Sequence, residues 1–233
     1  MSFRDRSDAG QRLAAALLKY QSQPVTVLAL PRGGVPVAAK VAEALEAPLD
    51  LILVRKVGVP FQPELAMGAV VDGAKPVVVR NEDVISLTGV GEEEFQAVCD
   101  REIAEIERRR RAYIAGREGV PIAERVAIVI DDGIATGATM RAALQATRAR
   151  NPRRLVLAVP VAPTSTLQDL RDEADEIICL EDYENFGAIG FYYGDFRQVS
   201  DREVTQILAR YPVRQARQAK ALRPKRGSAF AGE

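Results

Sequence analysis

The stretch of sequence that decides the fold is residues 126–139, which read VAIVIDDGIATGAT. Five apolar residues lead directly into two adjacent carboxylates, Asp131 and Asp132. A loop of small residues follows, and then a helix-like segment at about residues 140–150. An uninterrupted apolar run of this length is typical of a strand that is buried on both faces, as in the middle of a parallel sheet.

The two carboxylates lie where ligands bind in open α/β sheets, just beyond the carboxyl end of a strand. The loop after them presents backbone N–H groups at a helix N-terminus, which favours an anion. One short segment therefore offers acceptors for two hydroxyls beside donors for one phosphate. A ribose 5-phosphate presents that combination.

Residues 126–139 resemble the signature for phosphoribosyl diphosphate (PRPP) in the type I phosphoribosyltransferases, in which an apolar strand, two acids and a spacer precede Thr-Gly-x-Thr. The resemblance implies an α/β fold, with a central, mostly parallel sheet flanked by helices and a small C-terminal hood. It implies that Asp131 and Asp132 hydrogen-bond the ribose hydroxyls. The residues that it assigns to the 5-phosphate are Ala135, Thr136, Gly137, Ala138 and Thr139.

The same stretch has a simpler interpretation. A strand-to-helix turn with a threonine cap also fits, because Asp, Gly and Thr are common in turns. Two other phosphate loops are excluded. A P-loop needs a Lys that is missing here, and no Gly-x-Gly-x-x-Gly follows a predicted strand.

The composition agrees with an ordinary soluble enzyme, and the length is enough for one α/β domain. The 233 residues are 47% hydrophobic and carry 32 basic and 32 acidic side chains. A balanced charge gives no indication of a nucleic-acid or membrane surface, and the absence of His excludes imidazole catalysis. Cys99 and Cys179 lack the spacing of metal ligands. The polar residues 1–6 do not resemble a signal peptide, so a cytoplasmic location is expected.

Strand-like and helix-like segments alternate along the chain, which favours a parallel sheet. We predict one domain over residues 1–213, with a core at about 20–180, a hood at about 179–200 and a last helix at 200–211. The tail, residues 214–233, is basic and is predicted to be disordered. The predicted strands are 25–30, 49–54, 77–79, 126–130, 155–161 and 176–180. The other predicted helices are 9–20, 35–45, 92–116, 140–150 and 166–173.

A second loop with phosphate-binding character follows the first predicted strand and reads Pro31-Arg32-Gly33-Gly34. The two glycines allow a sharp turn and a close approach to a ligand, because they lack a Cβ atom. In the resembled family this loop binds the pyrophosphate half of PRPP, often through a cis peptide that is not at proline. That likeness assigns Arg32, Gly33 and Gly34 to the diphosphate, although such a turn by itself is also common on protein surfaces.

Arg55 and Lys56 follow the second predicted strand. The resemblance implies that a basic residue here reaches the pyrophosphate, and Lys56 is assigned a catalytic role with the two acids; a solvated strand end is the alternative. Residues 57–73, rich in Pro and Gly, are predicted to form a loop with weak strand character at 67–71. They occupy the place of the family's mobile catalytic loop. Glu64 in this segment has two interpretations, a proton acceptor in the reaction or an ordinary surface glutamate.

Aromatic residues concentrate in residues 182–197, although they form only 6% of the chain. The segment resembles the late hood of hypoxanthine-guanine phosphoribosyltransferases, which assigns Phe186 to stacking on the acceptor base and places Arg197 in the acceptor site, where it would assist the diphosphate. The spacing is shorter here, and a packed core or a dimer interface also fits. Ala135 stands where the 6-oxopurine enzymes carry Asp. The acceptor is therefore open, with a purine-like base favoured.

The resemblance implies transfer of ribose 5-phosphate from Mg²⁺-PRPP to a nitrogenous base, with release of pyrophosphate. Mg²⁺ would contact Asp131 and Asp132 mainly through water or ribose, because it keeps several waters. A homodimer is also expected. Two alternatives remain: a regulator that senses PRPP or a nucleotide, and an α/β binding module whose match is accidental. The basic run 108–111 is predicted to be a solvated helix face rather than an RNA-binding surface.

Overall fold

A computed structural model of the chain describes residues 2–73, 76–114 and 119–211. The strands are β1 (Val25–Ala29), β2 (Leu49–Leu51), β3 (Val54–Val59), β4 (Gln62–Val71), β5 (Val77–Arg80), β6 (Val126–Ile130), β7 (Arg154–Pro163) and β8 (Glu176–Tyr183). The α-helices are α1 (Arg6–Leu17), α2 (Gly34–Ala44), α3 (Glu82–Thr88), α4 (Glu92–Ile114), α5 (Ala138–Arg148), α6 (Thr164–Asp169) and α7 (Asp201–Leu208).

Five strands form a parallel sheet in the order β2-β1-β6-β7-β8. Every residue of β1 and of β6 is buried, as their apolar runs predict. β6, the strand that carries the signature, is the middle strand and is parallel to both neighbours, so this prediction is confirmed. β2 lies next to β1 and forms an edge of the sheet.

Helices cover both faces of the parallel sheet. Successive residues of one strand enter opposite layers: Val27 belongs to the apolar cluster that includes residues of α1, α2, α4 and α7, whereas Leu28 belongs to the cluster that includes residues of α5. Both strand faces are therefore apolar, which is why β1 and β6 read as continuous hydrophobic runs.

A second sheet is antiparallel, with the order β3-β4-β5, and it corrects two predictions. The predicted strand 49–54 is split, since β2 ends at Leu51 and β3 begins in the second sheet. The segment predicted as a loop, residues 57–73, is mostly a hairpin. Gly58 sits at a register shift, and a Cβ there would lie 2.4 Å from the Pro63 carbonyl oxygen. Gly58 thus lets the two strands of the hairpin approach closely, and the Gly and Pro residues of this segment do not end the strands.

Helix boundaries differ from the predicted ones by a few residues. α1 begins at Arg6 because the side chain of Asp5 caps it, and α3 was not predicted. The last predicted helix is present as α7, and a capping box of Ser200 and Glu203 forms its start. The predicted disordered tail, residues 214–233, lies outside the described residues. No helix within the described ranges combines the length and the apolar character that a membrane span requires.

An N-terminal arm, residues 2–6, joins the segment predicted as a hood. The backbone N–H groups of Ser2 and Phe3 donate to the Tyr192 carbonyl, and the Gly194 N–H donates to the Phe3 carbonyl. The Phe3 and Tyr193 rings pack with centroids 5.3 Å apart. The arm therefore belongs to the same small apolar cluster as the hood, which lies beside the carboxyl end of β7.

Candidate active site

The acidic pair, Asp131 and Asp132, directly follows β6 at the middle of the carboxyl edge of the parallel sheet. The backbone N–H of Asp132 donates to Asp131 Oδ1 at 2.8 Å. Burial, and secondly the charge of the neighbouring Asp132, raise the pKa of the Asp131 carboxyl well above its usual range. A cation or a hydroxyl donor at this point would stabilise the charged carboxylate.

Arg6 contacts the second acid of the pair, and sequence reasoning missed it. Its Nε donates to Asp132 Oδ2 at 2.7 Å, and the two side chains are only 11% and 10% exposed. Burial raises the pKa of Asp132, and the Arg6 guanidinium opposes that rise. No local sequence signal reveals this contact, because 126 positions separate the partners and Arg6 simply begins α1.

The glycine loop, residues 31–34, packs directly against the acidic pair. A Cβ on Gly33 would lie 2.1 Å from Asp132 Oδ2, and one on Gly34 would lie 2.7 Å from the Ile130 carbonyl oxygen. The Pro31–Arg32 peptide bond is cis, the feature that the resemblance associates with a pyrophosphate loop. The glycine loop and the acidic pair, both of which the sequence assigned to PRPP, are thus in direct contact.

The Arg32 side chain lies at the start of α7. Its Nη1 is 3.5 Å from Asp201 Oδ1, which also accepts a 2.6 Å hydrogen bond from the Tyr113 hydroxyl. Burial, and then the bond to Asp201, raise the pKa of Tyr113 to about 12. The Arg32 side chain is partly exposed, and the ion pair that holds its guanidinium is long.

The loop at 135–139 connects the acidic pair to α5. Gly137 has a φ of +78°, in the left-handed region that favours glycine, and a Cβ there would lie 2.8 Å from the Thr166 methyl carbon. The Thr166 hydroxyl donates to the Ala135 carbonyl at 2.8 Å. Within the described chain no side chain caps the first turn of α5. Its N–H groups are therefore available to an anion.

A cleft of about 790 Å³ separates the antiparallel sheet from the start of α5. Lys56 lines one wall, and Thr136, Ala138 and Thr139 line the other. Lys56 Nζ donates to Glu64 Oε2 at 3.1 Å and to the Glu64 carbonyl at 3.2 Å. The structure therefore brings Lys56 to the predicted phosphate loop, whereas the acidic pair is not among the residues that line this cleft.

The hood segment lies over the residues that follow the acidic pair. A Cβ on Gly133 would lie 2.7 Å from the Ile189 side chain, and the Tyr193 hydroxyl donates to the Asp132 carbonyl at 2.5 Å. Burial raises the pKa of Tyr193, which keeps its hydroxyl protonated as a donor. This contact fixes the backbone of Asp132 from the hood side.

The two residues assigned to the acceptor have protein partners. Phe186 stacks on Tyr192 with ring centroids 5.0 Å apart. Arg197 pairs with Glu203 at 2.7 Å, and its carbonyl accepts from Arg6. Their assigned role stays a prediction.

Among the described residues, no group of three or more Cys, Asp or Glu side chains is arranged to hold a metal ion by itself. Mg²⁺ usually takes one or two carboxylates together with water and substrate phosphates. The oxygen donors of the acidic pair fit that pattern, with Asp131 as the one that is not paired with Arg6. They suit an ion that arrives with a phosphorylated ligand.

Comparison with known families shows which family the chain belongs to. The family model described as "Phosphoribosyl transferase domain" matches residues 4–87 and 104–194. The match includes the arm residue Arg6, the glycine loop, the acidic pair and the loop at 135–139. The family that the signature predicted is therefore confirmed.

Individual relatives agree with the family match. Two proteins from strains of Mycobacterium tuberculosis, both with provisional phosphoribosyl transferase names, are 46% identical over 208 residues. The aligned region is 89% of this chain but 46% of each relative, so the chain spans about half of their length. The crystal structure of TT1426 from Thermus thermophilus is 39% identical with a TM-score of 0.77, and the match covers 91% of this chain and 100% of that one.

Proposed function

We propose that this chain, which belongs to the phosphoribosyl transferase domain family, transfers ribose 5-phosphate from Mg²⁺-PRPP to a nitrogenous base and releases pyrophosphate. One observation carries the proposal: the glycine loop packs against the acidic pair, with Gly33 touching Asp132. Donors for a diphosphate and acceptors for ribose hydroxyls therefore lie side by side at the carboxyl edge of the sheet.

Each part of the site has a role that follows from its chemistry. Asp131 and Asp132 accept hydrogen bonds from the ribose hydroxyls, and the loop at 135–139 holds the 5-phosphate through backbone N–H groups. The glycine loop holds the pyrophosphate by the same means, and Lys56 adds a positive charge near the phosphate loop. Mg²⁺, when bound with PRPP, stabilises the charge that develops on the leaving pyrophosphate.

The acceptor side is formed by the hood. Ile189 lies over Gly133, next to the acidic pair, and Phe191 is 73% exposed beside Gly187. We propose a purine-like base as the acceptor, with Phe186 and Arg197 as the residues nearest to it. Apolar and aromatic surface of this kind suits a flat heterocycle.

Binding and turnover are tested separately. Calorimetry should detect PRPP binding that depends on Mg²⁺, and Asp131→Asn combined with Asp132→Asn should weaken it by about tenfold or more, because charge-assisted hydrogen bonds are lost. Unchanged affinity in the folded double variant would remove these residues from the site. Pyrophosphate release across a panel of purine and pyrimidine bases would identify the acceptor.

The alternative, a regulator that senses PRPP without turning it over, predicts Mg²⁺-dependent binding and no pyrophosphate with any base. It keeps the same pocket, and the Arg6 ion pair on Asp132 is compatible with it. A homodimer and a cytoplasmic location are further parts of the proposal, and the mass of the purified chain in solution tests the first.

A further inference from the structure

We infer that Arg6, in the N-terminal arm, is a positioning residue for the acidic pair. It holds one oxygen of Asp132, so that the other oxygen is presented to the ribose and Asp131 is left for the cation that accompanies PRPP. The inference rests on the proposed function, and its experiment is arranged so that the two can fail separately.

Arg6 is fixed by several groups besides Asp132. Its Nη1 donates to the Arg197 carbonyl at 2.8 Å, and its Cζ lies 3.9 Å from the centroid of the Phe196 ring. The guanidinium is therefore already oriented by the hood when Nε reaches Asp132 Oδ2 at 2.7 Å. A pre-oriented arginine can orient its carboxylate partner, whereas a freely rotating one cannot.

Asp132 is held on its other sides as well. A Cβ on Gly33 would lie 2.1 Å from Oδ2 and 2.9 Å from Oδ1, so the glycine loop packs against the whole carboxylate, and the Tyr193 hydroxyl donates to the Asp132 carbonyl. The hydrogen bond from Arg6 distinguishes the two oxygens: it occupies Oδ2, and we assign Oδ1 to the ribose. The arm, the hood and the glycine loop converge on one carboxylate.

The two acids consequently have different partners. Asp132 has a buried arginine, but no Lys or Arg in the described part of the chain forms an ion pair with Asp131, which accepts from the Asp132 N–H. Asp131 is therefore the acid whose side chain has no arginine or lysine partner in the described part of the chain, and we assign it to the cation that enters with PRPP. A division of roles follows, with Asp132 positioned for ribose and Asp131 for the ion.

The experiment is a double-mutant cycle read by calorimetry, with the full chain, PRPP and Mg²⁺. Arg6→Gln should weaken PRPP binding by about tenfold, the size of one lost charge-assisted hydrogen bond. In an Asp132→Asn background the same change should cost less than about twofold, because the partner is already absent. In an Asp131→Asn background the cost should again be about tenfold.

Arg12→Gln is the matched control. Arg12 also lies on α1, packs on an aromatic ring (Phe3, 4.5 Å) and pairs with a glutamate (Glu181, 2.9 Å), but it does not touch the acidic pair. Its substitution should leave PRPP affinity unchanged. Arg6→Lys keeps the charge and should recover part of the affinity, and it replaces Arg6→Gln in the cycle if the latter does not fold.

Three outcomes would overturn the inference. Unchanged affinity in Arg6→Gln would show that the pair has no role in binding. An undiminished cost in the Asp132→Asn background would mean that Arg6 acts on the ligand directly. A loss of affinity in Arg12→Gln equal to that in Arg6→Gln would indicate a general effect of α1. A parent chain that does not bind Mg²⁺-PRPP would instead refute the proposed function, and the inference with it.

Discussion

The carboxyl edge of the parallel sheet and the antiparallel sheet β3-β4-β5 both supply candidate binding residues, but they hold them in different ways. At the edge, the groups are enclosed: Asp132 is 7% exposed and packs against Gly33 and Arg6. In the antiparallel sheet, the Lys56 and Glu64 side chains that face each other are 40% and 96% exposed.

We call the enclosed groups at the edge, Arg6, Gly33, Asp131 and Asp132, the fixed cradle. We call the exposed side chains of Lys56 and Glu64 the adjustable wall. Exposed ion pairs contribute only about 0–1 kcal/mol, so the Lys56 contact can be exchanged for a ligand contact at little cost. The packing of a backbone against a buried carboxylate cannot be exchanged in this way, because any shift leaves buried polar groups unsatisfied. We therefore expect substitutions at the edge to act on binding strongly, and those on the second sheet to act weakly.

The largest effect is expected from Gly137→Val in the loop at 135–139. At a φ of +78° a β-branched side chain is strained, and its Cβ would also meet Thr166 at 2.8 Å. The loop must change shape, and the 5-phosphate site is lost with it. Calorimetry should detect no PRPP binding to a chain whose circular dichroism is unchanged.

Gly89→Val is the control for the backbone strain alone. Gly89 has a similar φ of +67°, at the end of α3, with nothing within 4 Å of an added Cβ. It should lose some stability but keep PRPP affinity. If Gly137→Val bound PRPP as well as the parent, the phosphate site would lie elsewhere.

The next largest effect is expected from Gly33→Ala. The new methyl group would lie 2.1 Å from Asp132 Oδ2, which displaces the carboxylate and the glycine loop together. Two charge-assisted contacts are affected, so we expect an affinity loss of about a hundredfold. Gly91→Ala, whose nearest neighbour would be the Glu94 carboxylate at 3.9 Å, should have no effect. Equal affinities in the two variants would show that the cradle is not rigid.

The positions of the acids and of the glycine loop could be predicted from the sequence, because each follows a buried strand that is local in the chain. A buried parallel strand must be apolar on both faces, so residues 126–130 could be recognised without a structure. The acids and the glycines follow directly on their strands, and the carboxyl ends of adjacent parallel strands meet at one edge. Arg6 could not be found in this way, because its contact depends on how α1 and the hood pack.

The antiparallel sheet was predicted poorly because the contacts that form it are not local in the chain. Most residues of β3 and of the first half of β4 are exposed or half-buried, and Gly58 and Pro63 lie within the hairpin, where they usually indicate a loop. What makes the hairpin possible is the close approach at Gly58, a tertiary contact. Phe186 illustrates a further gap: its aromatic character was evident, but its stacking on Tyr192 was not.

The next effect is expected at Asp72, where the antiparallel sheet is connected to the parallel sheet. Asp72, at the end of β4, accepts from the Leu53 N–H at 2.9 Å and donates its own N–H to the Leu53 carbonyl. Burial, opposed by the bond from Leu53, raises the pKa of Asp72 to about 6 from 3.8. The folded chain therefore binds an extra proton between these values, and its stability falls as pH rises from about 4 to about 6.

Asp72→Asn keeps the acceptor oxygen and removes the charge. At pH 7 it should raise the free energy of unfolding by about 1–3 kcal/mol, with no gain at pH 4. Asp175 provides a control of opposite sign: it accepts from the Leu155 N–H, but the bond from Arg148 lowers its pKa. Asp175→Asn should therefore destabilise the chain at pH 7. Thermal melts at both pH values test this, and a pH-independent Asp72→Asn effect would contradict it.

The smallest effect is expected at the adjustable wall, from Lys56→Gln. The Lys56–Glu64 pair is largely exposed, so its loss should change the free energy of unfolding by less than about 0.5 kcal/mol. PRPP affinity should fall by about three- to tenfold, because a cation is removed from the cleft that the phosphate loop shares. Calorimetry of the parent and the variant, beside a thermal melt of each, measures both quantities.

Lys40→Gln is the control that distinguishes an effect specific to Lys56 from the loss of any exposed lysine. Lys40 forms a comparable surface pair with Glu43 at 3.2 Å, on α2, and it does not line the cleft. It should affect neither stability nor affinity, and Glu64→Gln should not weaken binding, because it frees Lys56 for the ligand. If Lys56→Gln weakened PRPP binding as much as Gly33→Ala does, the second sheet would be part of the fixed cradle, and the contrast between the two regions would be wrong.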